Sequence, residues 1–223
     1  MTDPAPETLS VPEGLALLLL RDSSGRRAVE LRTFSAVLGA GALAELAIRG
    51  EAELDDEGRV RATALGAADE DPIAAVRERI AATAAPQTDE WWVDRLGRGS
   101  LADAVLSGLV ERGVLHERRP WAFLGLAGAP VHPASSTTEE RALREAVRWS
   151  LVIDHRPTPR VAATIALLDV VACVREAAGF HPDPGLDLRA GQWPAAALQA
   201  WLLSLDPAGS RPLRSSIERG ARV

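Results

Sequence analysis

The segment from Arg160 to Ala178, read RVAATIALLDVVACVREAA, limits the fold more than any other part of the chain. Laid out at helical period it is apolar on nearly every side, and such a helix is stable only when other helices enclose it. Its apolar run falls short of the about 20 residues that span a bilayer, and it carries Asp169. The enclosure must therefore come from the rest of the chain, where helix signals recur. Pro12 opens a helix with Leu15, Leu17, Leu18 and Leu20 on its apolar face. Phe34 to Arg49 reads as a helix of small residues ended by Gly50, and Leu101 to Arg112 as one ended by Gly113. Pro72 to about Ala85 and Asp89 to Leu96 follow the same period. Ser136-Thr137-Thr138-Glu139-Glu140 holds two overlapping capping-box spacings and starts a helix that reaches Ile153. Pro194 to Leu205 turns Leu198, Trp201 and Leu202 inward. Asp22 to Gly25 makes a turn, and Arg26 to Arg32 reads as a short strand with Ala28 or Val29 inward. Glu51 to Leu65 alternates around Asp56-Glu57-Gly58 and is a hairpin.

The expected class is mostly α: a single globular helical domain with a central apolar helix and two β-hairpins, one hydrophobic at its tip. Residues 1–9 are expected as a disordered tail, 10–205 as the domain and 206–223 as a mobile basic tail. A chain of 223 residues is long enough to bury one sizeable core.

That second hairpin is the segment Val114 to Pro133, VLHERRPWAFLGLAGAPVHP, following the helix LADAVLSGLVERG. Its tip is Trp121, Ala122, Phe123 and Leu124, with Arg118 and Arg119 just before. Large apolar side chains beside two arginines on a turn suit the edge of an anionic membrane, where rings enter the interface and guanidinium groups meet headgroups. The alternative is that Trp121 and Phe123 fold back onto the core.

Several function classes are excluded or disfavoured. A net charge of −6 argues against general nucleic-acid binding, which needs a basic excess. LAELAIRGEAELDDEGRVRATAL and LSGLVERGVLHERRPWAFLGLAGA both read helix, Arg-Gly cap, hairpin, which is also the order of a winged helix. Glu51, Glu53, Asp55, Asp56 and Glu57 would then face the phosphates, so no nucleic-acid partner is expected. Cys173 is the only cysteine and lies in the apolar run, which leaves no disulfide framework or zinc knuckle and points to a buried structural thiol. His116, His132, His155 and His181 have no metal-ligand spacing. Asp154-His155 could orient an imidazole, but no nucleophile is signalled nearby, and no GxSxG, phosphate-binding loop or HExxH is present. No catalytic residue, metal or cofactor is assigned. Absence of lysine and tyrosine beside abundant alanine and arginine reads as the codon bias of a GC-rich genome. The start MTDPAPETLS lacks the basic-then-apolar order of a signal peptide, so a cytoplasmic location is expected, with attachment to a membrane from one side at most.

Gly39-Ala40-Gly41-Ala42-Leu43-Ala44 matches the loose dinucleotide pattern GxGxxA, with Asp55 at about the spacing of a ribose-binding acid. The pattern works only after a buried strand, and Phe34 to Leu38 runs smoothly into ALAELAIRG instead. Small residues that let helices approach closely are the expected reason for these glycines.

The ordered set LSVPEGLALLLLRDSSGR, LGAGALAELAIRGEAEL, SGLVERGVL, WAFLGL, RALREAVRWSLV and PRVAATIALLDVVACVREAAGF resembles a bacterial member of the Golgi phosphoprotein 3 family, over roughly residues 9 to 180. The resemblance implies a mostly helical fold with a protruding hairpin and peripheral membrane binding through phosphatidylinositol 4-phosphate. In eukaryotic members the hairpin enters the bilayer, and the protein helps retain Golgi glycosyltransferases by their cytoplasmic tails. The family's lipid pocket uses one tryptophan and three arginines. Those positions fall here on Glu30 and Gly39 and near Gly99 and Ala102, and none is retained. Arg32, Arg95 and Arg98 lie close by in sequence and are the candidate replacements, since arginine forks match phosphate.

The function expected from the sequence is thus a non-enzymatic, peripheral membrane protein that binds anionic phospholipid, by resemblance a phosphoinositide. Arg32, Arg95, Arg98, Arg118 and Arg119 would meet the headgroups, and Trp121, Phe123 and Leu124 would insert. Self-association through the hairpin and the tails of membrane proteins are further partners of this reading. A soluble adaptor that uses the same hairpin for dimerisation or a protein partner is the alternative. A dinucleotide-dependent enzyme is the third, and it requires a strand ending just before Gly39.

Overall fold

Ser10 starts the first helix: its backbone N–H and its hydroxyl both donate to Glu13 Oε2, each at 2.8 Å. Proline in the next turn reinforces that start, because its missing N–H has no partner to lose there. Helix α1 (Val11–Leu19) is buried at every position except Glu13. A computed structural model describes residues 9–20, 26–63, 71–116, 138–152, 156–183 and 186–205. Among these, eight further helices follow: α2 (Leu31–Ile48), α3 (Pro72–Ala82), α4 (Asp89–Gly97), α5 (Leu101–Glu111), α6 (Thr138–Val152), α7 (Pro159–Val170), α8 (Val174–Ala178) and α9 (Trp193–Leu205).

The central helix is α2 and not, as expected, the segment Arg160 to Ala178. It packs against α1, α3, α4, α5, α7 and α9 and against the first strand, and every residue from Thr33 to Leu46 is buried. By length and composition alone α2 could cross a membrane, but most of it is enclosed by protein, as in a core helix. Gly39 and Gly41 explain how so many neighbours reach it. A Cβ at Gly41 would stand 2.7 Å from Leu15 Cδ1 on α1, and one at Gly39 would stand 2.9 Å from Leu96 Cβ on α4. The strand that a dinucleotide loop requires before Gly39 is absent, because α2 runs straight through that position. The enzyme alternative built on these glycines is therefore overturned, and close helix packing is what they serve.

Strands β1 (Ala52–Leu54) and β2 (Arg59–Ala62) form the expected hairpin, with Leu54 opposite Val60 and Ala52 opposite Ala62. Gly58 takes a φ of +72° in its turn, a backbone region open to glycine at little cost. Asp55 accepts the backbone N–H of Glu57 and of Arg59 and the guanidinium groups of Arg59 and Arg61. The acidic hairpin thus brings its own counter-charge. A third strand, β3 (Gln87–Thr88), pairs antiparallel to β2 and was not anticipated. Two residues carry too little pattern to be recognised.

Three helix ends share one geometry. After α2, Gly50 N–H reaches Ala47 O and Glu51 N–H reaches Leu46 O; after α5, Gly113 and Val114 make the equivalent bonds. This double closure puts one left-handed residue just past the helix, usually glycine. At the end of α7 the same pair of bonds runs from Ala172 to Asp169 and from Cys173 to Leu168, but the left-handed residue is Ala172, with φ 56°. The chain therefore breaks there, and the expected single helix from Arg160 to Ala178 is two, α7 and α8. Both remain largely buried, and the Cys173 thiol between them is buried as expected.

Arg26 to Arg32 also differs from expectation. It makes one isolated bridge, Leu20 to Arg27, instead of a strand, and α2 already begins at Leu31. Ala28 and Val29 do lean on the core. Leu9, assigned to the N-terminal tail, is buried in it. Helix α3 ends at Ala82, three residues early, where Thr83 turns extended. The remaining residues of both tails, the turn at Asp22 to Gly25, Asp154-His155, and the hairpin segment with Arg118, Arg119, Trp121, Phe123 and Leu124 lie outside the described residues.

One buried ion cluster ties the helices together. Glu45 on α2 is 0% exposed and accepts the N–H of Val11 at 3.0 Å, Arg49 Nε at 2.9 Å and Arg160 Nη2 at 2.7 Å. Arg49 continues to Asp71, which caps α3 by accepting Ile73 N–H. The starts of α1, α3 and α7 are thereby fixed on the side of α2.

Candidate functional site

The first turn of α2, one face of α4 and the middle of α9 meet at Asp94. Its carboxylate collects three donors. Arg98 Nε donates to Oδ2 at 2.8 Å, Trp201 Nε1 donates to Oδ1 at 2.9 Å, and Arg32 Nη2 lies 3.5 Å from Oδ1. Arg32 also lies over the indole, its Cζ 5.4 Å from the centre of the Trp201 ring, a cation–π contact. Burial pushes the Asp94 carboxyl up, but the Trp201 N–H, Arg98 and Arg32 outweigh it and hold the pKa below the ordinary aspartate value.

Local sequence explains each placement. Helix α2 is buried from Thr33 to Leu46, so Glu30, Leu31 and Arg32 form an exposed start that emerges from the core. On α4 the spacing Trp91, Asp94, Arg95, Arg98 is i, i+3, i+4, i+7 and so lies on one helical face. Trp92, Val93 and Leu96 fill the opposite, buried face. Thr88 starts α4 by accepting Trp91 N–H at 3.3 Å. The glycine contacts then bring α4 against α2: a Cβ at Gly97 would meet Ala36 Cα at 3.1 Å. Such close approach is what lets Arg98 and Arg32 share one carboxylate.

Of the headgroup candidates, the structure brings Arg32 and Arg98 together and leaves their side chains 50% and 64% exposed. Arg95 is exposed on the same face of α4 but does not join the Asp94 cluster. Arg118 and Arg119, with the hairpin tip, lie outside the described residues. Leu31, next to Arg32 on α2, and Trp91, three residues before Asp94 on α4, are exposed apolar side chains. The positions that the resemblance assigns to a lipid pocket differ in their surroundings, Gly99 being exposed. Gly39 is sealed beneath α4, so no longer side chain fits; Ala102 is buried, and Glu30 is an exposed acid.

Sequence reasoning missed Asp94, Trp201 and the exposed pair. The helical spacing of Trp91, Asp94, Arg95 and Arg98 could have shown the α4 face. Nothing in the sequence connects Asp94 with Trp201, which stands 107 residues away.

Chemically, the cluster is two arginines paired with one carboxylate, with enough guanidinium surface exposed that an anion could be taken there. It lacks a nucleophile–base pair, and among the described residues no histidine, cysteine and carboxylate group could hold a metal ion. A family model described as Golgi phosphoprotein 3 (GPP34) matches residues 11–211. No curated protein matches the chain.

Proposed function

The chain belongs to the Golgi phosphoprotein 3 family, and from that premise we propose that it is a non-enzymatic peripheral membrane protein that binds anionic lipid, a phosphoinositide by family likeness. The observation that carries this reading is the convergence of Arg32 and Arg98, from two helices, on one site with half or more of each side chain free. Guanidinium forks match phosphate oxygens in two-point geometry. Leu31 and Trp91 beside them suit the interfacial zone, where amphipathic rings and short apolar groups settle below the headgroups. In this reading Arg95, Arg118 and Arg119 add surface charge, and Trp121, Phe123 and Leu124 insert as a second anchor.

Vesicle flotation tests it. Each arginine near an anionic surface contributes about 1 kcal/mol, within a Debye length of about 8 Å at physiological salt. Replacing Arg32 and Arg98 with glutamine should therefore weaken binding to vesicles containing phosphatidylinositol 4-phosphate about thirtyfold, and added salt should weaken the wild type. The Trp121, Phe123 double serine variant should lose binding with its melting temperature nearly kept. Salt-independent binding, or equal binding to neutral phosphatidylcholine, refutes the lipid reading. Dimerisation through Trp121 and Phe123 without vesicle binding would favour the adaptor instead.

A further inference from the structure

Helix α6 buries one side and leaves a second apolar row outside. Leu143, Val147 and Leu151 are buried where the helix packs on α1, α7 and α8. On the other side Ala142, Glu145, Trp149 and Val152 follow at i, i+3, i+7 and i+10, the spacing of a seam between two helices. Trp149 is 55% exposed and Val152 66%, so two apolar side chains stand in water about one turn apart. Glu145 and Arg148 are exposed beside them, and neither side chain makes an ion pair or hydrogen bond among the described residues. We propose that this face of α6 is the contact through which two copies of the chain form an antiparallel dimer.

Charge complementarity selects both the second copy and its direction. Packed antiparallel about a two-fold axis, with Glu145 across from Trp149 of the second copy, Ala142 lies across from its Val152. Glu145 then stands beside Arg148 of the second copy, and by symmetry Arg148 stands beside its Glu145. A parallel pair would set Glu145 against Glu145 and Arg148 against Arg148, and like charges repel. An anionic membrane fits this face less well, because Glu145 interrupts the apolar row and would meet headgroups of its own sign. The apolar area is small. Side chains exposed to this degree offer about 200 Å² per copy, against about 800 Å² per partner in a standard stable interface. Association of that size is transient and depends on concentration. None of these residues enters the lipid reading, so either can fail without the other.

Sedimentation equilibrium of the full chain, free of lipid and at about 1 μM to about 1 mM, tests the contact. The weight-average mass should climb from 23.7 kDa toward twice that value as concentration rises. Trp149→Ser removes the largest apolar group of the face and should weaken association at least about tenfold. Its melting temperature should be nearly unchanged, because the side chain is exposed. Glu145→Arg and Arg148→Glu should each weaken the dimer about tenfold, since two attractive pairs become two repulsive ones. Both changes in one chain should restore it, because exchanging the charges preserves their pairing across the axis. A chain that stays at 23.7 kDa over the whole range overturns the proposal. So does a dimer that survives Trp149→Ser, or one that the double charge exchange fails to restore. A dimer lost with Trp121→Ser and Phe123→Ser but kept with Trp149→Ser assigns association to the hairpin and overturns it too. Vesicle binding that falls with Trp149→Ser, in a chain that never dimerises, gives the face to a membrane and has the same result.

Discussion

Removing the Glu45 carboxylate should be among the most damaging single changes to this fold. The side chain is fully enclosed, yet it serves Val11, Arg49 and Arg160, which belong to three different helix ends. Breaking a buried ion pair by deleting one partner costs about 3–5 kcal/mol, because a desolvated charge is left behind. Arg49 and Arg160 keep 27% and 31% of their side chains exposed, so water can recover part of that loss. Glu45→Ala should therefore cost about 3 kcal/mol, near the lower limit of that range. Glu45→Gln, which still accepts the Val11 N–H, should cost about 2 kcal/mol. For a chain of this length a loss of 3 kcal/mol lowers the melting temperature by about 6–12 °C. Urea titration followed by far-ultraviolet circular dichroism and tryptophan emission measures both variants. The pH dependence supplies a second check. Burial pushes the Glu45 carboxyl up, but Arg160, the Val11 N–H and Arg49 overcome it, so the folded pKa lies below the unfolded one. The stability from its charge is thus fully present above the unfolded value and disappears as pH falls through the folded value. The difference between wild type and Glu45→Gln should shrink on acidification. A cost below about 1 kcal/mol for Glu45→Ala, or a difference that ignores pH, refutes the reasoning.

Two further predictions concern the backbone. Gly41→Ala would press a Cβ onto Leu15 and the Pro12 backbone, so it should cost about 1–3 kcal/mol. Gly108→Ala meets nothing within 4 Å among the described residues and should instead gain about 0.5–1 kcal/mol; chemical denaturation of both variants, with opposite signs expected, checks the pair. Ala172→Gly should raise stability by about 1 kcal/mol, since the left-handed conformation that strains alanine suits glycine, and an unchanged or lower unfolding midpoint would contradict the strain.

The sequence revealed elements whose signals are local. Pro12 marked the start of α1, Gly50 and Gly113 marked the ends of α2 and α5, and apolar period marked α4 and α9. It misled where one residue broke a rule. Ala172 in a glycine's conformation gave no sign that α7 would stop. The alternation from Arg26 to Arg32 lost to helix formation because Thr33 and Phe34 are drawn into the core, which carries the first turn of α2 with them. The candidate site was half legible. Arg32 and Arg98 were chosen because guanidinium groups suit phosphate, and both face Asp94. Their convergence depends on the Gly39 and Gly97 contacts and on α9, and tertiary packing of that kind has no periodic trace.

The bond from Trp201 to Asp94 also has a consequence for biosynthesis. Chains emerge from the ribosome N-terminus first and fold progressively as they do. Arg32 and Arg98 leave early, whereas the indole that fixes their shared carboxylate belongs to α9 and arrives 107 residues after Asp94. Until α9 docks, Asp94 lacks the indole N–H that fixes it and Arg32 lacks the ring it lies over. The complete Asp94 cluster therefore exists only once Trp201 has been made and α9 has docked, and a nascent chain halted before that point would carry both arginines without it.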